Sequence, residues 1–367
     1  MATTPTESQA GDQTVAEGPR SDKLSDGEQV WAARYKQLKA YGYLLRPRYR
    51  PGWVPAWEPN GWNVREEDAI LPDADNLDAE RLSDGQIVFL KPVPKTSPEI
   101  EIGCLLTSED MRKDPRNHAI PLLDVIDDPV VPNTVILVLP LLRLIDSPPP
   151  SSVGECIDLV NQTLEGLVFL HKHGIAHRDC AMDNIMLDAR ALLPDGWHPQ
   201  SYNVSRDSQR ALRIPPIREA GGVRYYFIDF GISTLGRNTT LGTLGQERAP
   251  ELSAEIPYDP YKLDVYILGM AYAKFLALRF RVEDFSFLDP LIRAMIVKEP
   301  SERPTAAEAY ELFNKIRAAI PSGELRRRLP SVRKPETPGT KLWRDMHYGI
   351  SAYWWGLTPK QVVGPLV

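Results

Sequence analysis

Cysteine is scarce. Only Cys104, Cys156 and Cys180 occur among 367 residues, with no CxxC pair and no metal-ligand spacing. So sparse and odd a set argues against a disulfide scaffold and fits a reducing compartment. Positive charge is not in excess either, since the net charge is −6. Phosphate-backbone binding needs a basic footprint, so no nucleic-acid partner is expected. Long hydrophobic runs are also missing. The greasiest stretch, residues 135–142, contains Pro140 and runs into Arg143. It falls far short of the roughly 20 apolar residues that cross a bilayer, so no membrane span is expected. The first residues carry neither a basic nor an apolar leader region. The chain therefore reads as soluble and intracellular, in cytoplasm or nucleus.

What is present is ordinary for a globular chain: 43% hydrophobic and 25% charged residues, in a length that suits one large domain or two lobes. The 34 prolines imply long ordered loops and extended ends. Residues 1–26 are polar and are expected to be disordered. Residues 30–45 have apolar side chains at helical spacing. Residues 46–57 interleave prolines, arginines and aromatics, and read as an extended arm packed on the domain. In residues 83–91 an Asp-Gly turn precedes a β-branched run, a hairpin signal. A helix is expected over 99–106, strand-like runs over 120–126 and 135–141, and an amphipathic helix over 153–173. Residues 257–320 read as mostly helical. Strands first and helices later make an α+β fold in two lobes: an extension at 27–79, a β-rich lobe at 80–141, a helical lobe at 142–319, and a tail at 320–367. The tail is Arg-rich, then aromatic at Trp343, Tyr348, Tyr353, Trp354 and Trp355, and is expected to dock on the large lobe.

The chemistry is concentrated in two segments. One is an amphipathic helix running into His177-Arg178-Asp179 with Asn184 shortly after. The other is an apolar strand ending in Asp229-Phe230-Gly231. Together they resemble the catalytic and metal-binding loops of eukaryotic protein kinases. Phosphoryl transfer needs one carboxylate to orient the attacking hydroxyl and further oxygen ligands for Mg²⁺ on the phosphates. The resemblance implies that Asp179 plays the first part and that Asn184 and Asp229 hold Mg²⁺. Lys91, after Val88-Phe89-Leu90, resembles the family lysine that holds the ATP phosphates. Its carboxylate partner is read as Glu101, with Glu99 competing. The i+4 neighbour of Glu101 is Leu105, suited to pack beneath the site, whereas that of Glu99 is Gly103.

Further matches follow along the chain. Ala249-Pro250-Glu251 closes a short activation segment. Asp264 opens a buried helix and, in the family, caps the catalytic loop. Arg303 pairs with the glutamate that matches Glu251. His177, Arg178, Phe230 and Gly231 are read as structural support, and Cys180 as a small apolar filler. The alternative role for Arg178 is to pair with a phosphate on Ser233, Thr234, Thr239 or Thr240. Leu139 resembles the residue that gates the adenine pocket, so the Pro140 carbonyl and the Leu142 N–H would read the base; proline keeps its acceptor. Arg46-Pro47-Arg48-Tyr49-Arg50, Asp114-Pro115-Arg116-Asn117-His118 and the two catalytic segments also look like a kinase-like group abundant in mushroom-forming fungi.

The sequence departs from the family at several points. No Gly-x-Gly-x-x-Gly precedes Lys91; residues 73–82 stand there instead, and their acids would repel phosphate. Ala181 and Asp183 match neither the serine/threonine nor the tyrosine pattern, and Thr243 lies one residue too far from Ala249 to make the family's contact with Asp179. An insert at 188–223 reads as a surface excursion without nameable chemistry. The resemblance implies an ATP- and Mg²⁺-dependent protein kinase acting on a protein hydroxyl, serine or threonine ahead of tyrosine. The alternative is a pseudokinase that binds nucleotide or scaffolds with little turnover. A small-molecule kinase ranks third, because Ala249-Pro250-Glu251 and Arg303 belong to a protein-substrate lobe.

Overall fold

The computed structural model describes residues 23–54, 75–207, 209–330, 336–357 and 366. The disorder expected for residues 1–22, the end of the arm at 55–57, and the side chains of Tyr353, Trp354 and Trp355 lie outside the described residues.

The chain enters through α1 (Asp26–Ala40). Ser25 and Glu28 form a reciprocal capping box at its start, so ordered backbone begins before Asp26. The small lobe is built from β1 (Tyr43–Leu44), β2 (Leu77–Arg81), β3 (Ile87–Pro94), α2 (Pro98–Thr107), α3 (Glu109–Lys113), β4 (Asp124–Asp127) and β5 (Thr134–Pro140). Its antiparallel sheet runs in the order β1-β2-β3-β5-β4. Two of its strands come from the stretch expected to be an extension, so the β-rich lobe starts well before residue 80. Only the end of the strand-like run at 120–126 joins the ladder, as β4.

Alternation along β3 decides which side chains reach the cleft. Val88 and Leu90 point into a cluster with Trp31 and Leu38 of α1 and with Ile136 and Val138 of β5. The opposite face carries Phe89, Lys91 and Val93, and Val93 packs with Ile102, Leu137 and Leu139. Both faces of β5 are covered, which explains its unbroken apolar run.

The helical lobe follows: β6 (Arg143–Leu144), α4 (Val153–Lys172), β7 (Ile175–Ala176), β8 (Ile185–Asp188), β9 (Arg224–Phe227), β10 (Thr234–Leu235), β11 (Thr240–Gly242), β12 (Ser253–Tyr258), α5 (Pro260–Arg279), α6 (Asp289–Met295), α7 (Ala306–Ala319), α8 (Ser322–Leu325) and α9 (Pro338–Leu357). A three-stranded sheet, β6-β8-β9, brings the ends of β8 and β9 together below the cleft. Ile157, Val160, Leu164 and Leu167 of α4 are buried at helical spacing. Asp259 caps α5 by accepting the Tyr261 and Lys262 N–H groups. The architecture is α+β, bilobal and kinase-like.

Candidate active site

Four segments converge between the lobes. Lys91 on β3 reaches across to two carboxylates: Nζ lies 3.0 and 2.8 Å from Glu99 Oε1 and Oε2, and 2.8 Å from Asp229 Oδ1. The partner on α2 is therefore Glu99. Glu101, favoured from the sequence, is exposed. The correction has a packing cause. The face of α2 that carries Glu99 also carries Ile102, Gly103 and Leu106, all buried. Gly103 is the contact point itself: a Cβ there would lie 3.2 Å from Leu122 Cδ2, so a missing side chain lets the helix approach closely.

Burial works against charge on all three groups. Glu99 and Asp229 outweigh it at Lys91, whose ammonium is held above its ordinary pKa. Burial likewise pushes at Asp229, but Lys91 wins and its pKa is lowered. At Glu99 burial dominates and the carboxyl is raised.

The loop bearing His177-Arg178-Asp179 is fixed from beneath by Asp264, which is fully buried. Its carboxylate accepts the His177 N–H at 2.8 Å, the Arg178 N–H at 2.6 Å and His171 Nε2 at 2.9 Å. Arg178 and Asp229 both take left-handed backbone conformations, with φ of 67° and 61°; such strain persists only where surroundings enforce it. His177 Nδ1 accepts the Asp179 N–H, leaving Nε2 to donate to Ile228 O at 3.0 Å. Its ring leans on Phe230, with centroids 4.8 Å apart. One imidazole thus ties the loop of Asp179 to the strand end that bears Asp229.

Asn184 closes the other side. Its Nδ2 donates to Asp179 O at 2.8 Å and to Asp179 Oδ2 at 2.9 Å, and its carbonyl accepts the Ile228 N–H. Asn184 Oδ1 and Asp229 Oδ2 are left as oxygen donors on two segments that the bond from the Ile228 N–H to Asn184 O joins, a hard donor pair of the kind Mg²⁺ takes when phosphates and water complete its shell.

The activation segment touches Asp179 in a way that motif reading missed. Gln246, not Thr243, makes the contact, through a backbone N–H donated to Asp179 Oδ1 at 2.8 Å. Gly245 was the available signal: its φ is 120°, and a Cβ there would lie 3.2 Å from Arg178 O. Arg178 is nearly buried and donates to Ile232 O, Leu241 O and Tyr258 Oη at 2.8–3.0 Å. Carbonyls and a phenol thus occupy the guanidinium that the alternative reading assigned to a phosphate. Arg303 meets Glu251 in a buried two-pronged pair, Nη2 to Oε2 at 2.9 Å, and donates to three backbone carbonyls as well. Cys180 is fully buried.

The cleft is a cavity of about 740 Å³ lined by Phe89, Lys91, Glu99, residues 139–142 where β5 passes into the helical lobe, Met186 and Asp229. Two expectations change here. The described part of the acidic stretch before Lys91, residues 75–82, contains β2, where Asp78 is paired with Arg46 and Glu80 with Arg206; these two acids are matched by arginines instead of standing free against a phosphate. The insert is not a plain surface excursion either, because residues 198–202 line the same cleft.

No protein-family model matches the chain. Part of it is similar to the serine/threonine-protein kinase ppk8 of Schizosaccharomyces pombe, 31% identical over 111 residues, covering 30% of this chain and 17% of that protein. It is also similar to the eIF-2-alpha kinase GCN2 of Arabidopsis thaliana, 26% identical over 172 residues, covering 41% of this chain and 13% of the relative. A light-sensor protein kinase of Ceratodon purpureus is 29% identical over 143 residues, 33% of this chain and 9% of the relative. The chain thus spans less than a fifth of the length of each of these relatives. The bilobal fold and these partial similarities together support placing the chain in the protein kinase-like superfamily.

Proposed function

We propose that the chain is a protein kinase, transferring the γ-phosphoryl group of ATP to a hydroxyl of a protein substrate, serine or threonine ahead of tyrosine. The observation that carries this reading is the lysine held between two carboxylates: Lys91 bonded to Glu99 and Asp229 at the inner end of the cleft. An ammonium so held is poised to meet phosphate oxygens. Asp179 keeps lone pairs beyond those accepting from Asn184 and Gln246, so it can take a hydrogen bond from an acceptor hydroxyl and orient it. Asn184 and Asp229 would hold Mg²⁺, which when bound neutralises charge on the transferred group. The hinge, residues 139–142, would receive the base. The pairing of Arg303 with Glu251 holds the segment below Asp179 where a protein substrate would lie. Cytoplasm or nucleus is the compartment that the few, unpaired cysteines suit. The pseudokinase alternative draws on the missing glycine-rich loop.

The test is a thermal shift with ATP and Mg²⁺, followed by phosphate incorporation by the wild type and by Asp179→Asn. A shift, with incorporation lost in the variant, is the expected result. A shift without incorporation by the wild type selects the pseudokinase. No shift at all removes both nucleotide readings.

A further inference from the structure

No glycine-rich turn precedes Lys91. Instead the connection from β1 to β2, residues 45–76, delivers Asn76 to the cleft, and the strand register fixes where it arrives. In the antiparallel ladder of β2 and β3, Asp78 stands opposite Phe89 and Leu77 opposite Leu90. One step further along the same register, Asn76 stands opposite Lys91. Residues opposite one another share a face of the sheet, and the face of Phe89 and Lys91 is the one turned to the cleft. Asn76, Asp78, Phe89 and Lys91 accordingly line one cavity. The end at residues 139–142 lies the other way along β3, because Pro140 stands opposite Val88 and Leu139 opposite Phe89. Asn76 is therefore at the Lys91 end, about 7 Å along the strand from Phe89.

The other polar groups around the cleft are largely engaged. Lys91 is held by Glu99 and Asp229, and the Asp78 carboxylate by Arg46. The wall made by the insert, residues 198–202, turns its polarity inward. Arg143, fully buried, donates to Tyr202 O at 2.8 Å and lies over the rings of Trp197 and Tyr202, 5.2 Å from each centroid. His198 Nδ1 accepts the N–H groups of Gln200 and Ser201 at 3.3 and 3.2 Å, and Gln200 Nε2 is closed to solvent.

Asn76 differs. It is only partly buried, its side-chain amide makes no hydrogen bond among the described residues, and neither amide atom is sealed off from the cleft. The amide nitrogen offers two N–H donors and carries no charge. Uncharged N–H groups aimed at one place are what a glycine-rich turn presents to phosphate through its backbone. Here a side chain beside Lys91 offers the same kind of donor, and Arg46 has removed the nearest carboxylate that would oppose an anion.

We propose that Asn76 is a nucleotide-contacting residue, its side-chain amide donating to a phosphate oxygen of ATP across from Lys91. The roof of the cleft then reads phosphate with a side chain where the sequence has no glycine-rich turn to do so. This rests on the ATP reading above.

The test is calorimetric titration of the whole chain with MgATP, for the wild type, Asn76→Leu and Asn76→Asp. Leucine keeps the shape and removes both donors, so MgATP is expected to bind about 5- to 10-fold more weakly. Aspartate keeps the shape and presents an anion, so it should weaken MgATP further than leucine does. A ribose hydroxyl, by contrast, could donate to that carboxylate and would spare the affinity. The melting temperature without nucleotide should not fall, because the amide has no protein partner to lose; a fall in both variants marks a structural residue and overturns the proposal. Unchanged MgATP affinity in Asn76→Leu overturns it, and so does an Asn76→Asp chain that binds MgATP more tightly than Asn76→Leu. In each of these cases the kinase reading stands. No ATP binding by the wild type overturns both.

Discussion

Two loops meet at the cleft, and buried charges of opposite sign anchor them. The loop of Asp179 is pinned by the anion Asp264, which gathers two backbone N–H groups and His171. The wall of the insert is pinned by the cation Arg143, which donates to the carbonyls of Tyr202 and Ser147 and to the Ser147 hydroxyl. Among the described residues Arg143 makes no ion pair of the kind Arg303 makes with Glu251, whereas Asp264 meets the His171 imidazole. A carboxylate is compact and can satisfy two adjacent N–H groups at a loop's apex, whereas a guanidinium offers a fork of five donors and a flat face. The anion therefore fixes a tight turn, and the cation fixes a broad crossing by stacking between two rings. The costs differ as well. Burial pushes Arg143 down to about 10, a sign that much of its attraction is spent on lost hydration.

The sharpest way to break this comparison is Asp264→Ala. It strands the N–H groups of His177 and Arg178 in the interior, and a loss of about 3–5 kcal/mol in urea unfolding is expected. Nucleotide binding should fall with it.

Next in size is an acid effect at the insert. Burial, then Arg46, holds His198 down to about 4 from an ordinary 6.5. An imidazole whose folded pKa is depressed leaves the unfolded chain binding more protons at intermediate pH. Its contribution is complete above pH 6.5 and is lost as the pH falls towards 4, up to about 3 kcal/mol. The variant His198→Gln should flatten the dependence of melting temperature on pH across that window. An identical slope in the two proteins would contradict the burial of a neutral ring.

Arg143→Met comes third, at about 1–2 kcal/mol, because lost hydrogen bonds are partly offset by a burial cost that is no longer incurred. If it proves as damaging as Asp264→Ala, the asymmetry between anion and cation is wrong. The smallest effect sharpens the site itself. Glu101→Ala, on an exposed face, should change stability by less than about 0.5 kcal/mol and leave ATP affinity untouched. Glu99→Ala should weaken ATP binding by releasing Lys91. A reversed ranking in the same titration would restore the pairing first read from the sequence.

Legibility followed sequence distance and side-chain identity. Asp179, Asn184 and the Asp229-Phe230-Gly231 turn stand on short contiguous segments, so local spacing already limits how they meet. The pair of Arg303 and Glu251 was legible because both ends sit in recognisable segments. Gln246 was not, because its shorter contact with Asp179 is a backbone N–H that any residue but proline could supply. Gly103 was misread because a glycine on a helix face has no pattern of its own; its meaning lies in Leu122, which approaches it. The insert was misread because proline-rich, mixed composition is the same for a solvated loop and for one pressed against a cleft.

The order of chemistry-bearing residues along the chain, and the alternation that turns Lys91 away from Val88 and Leu90, were settled by the amino acids alone, because neighbours a few residues apart are constrained by backbone geometry. Which carboxylate on α2 meets Lys91, what holds the loop of Asp179 and the insert, and which side chains close the cleft were decided only in three dimensions. Those outcomes depend on close approach and shared burial between segments that are remote in sequence, and no local pattern encodes them.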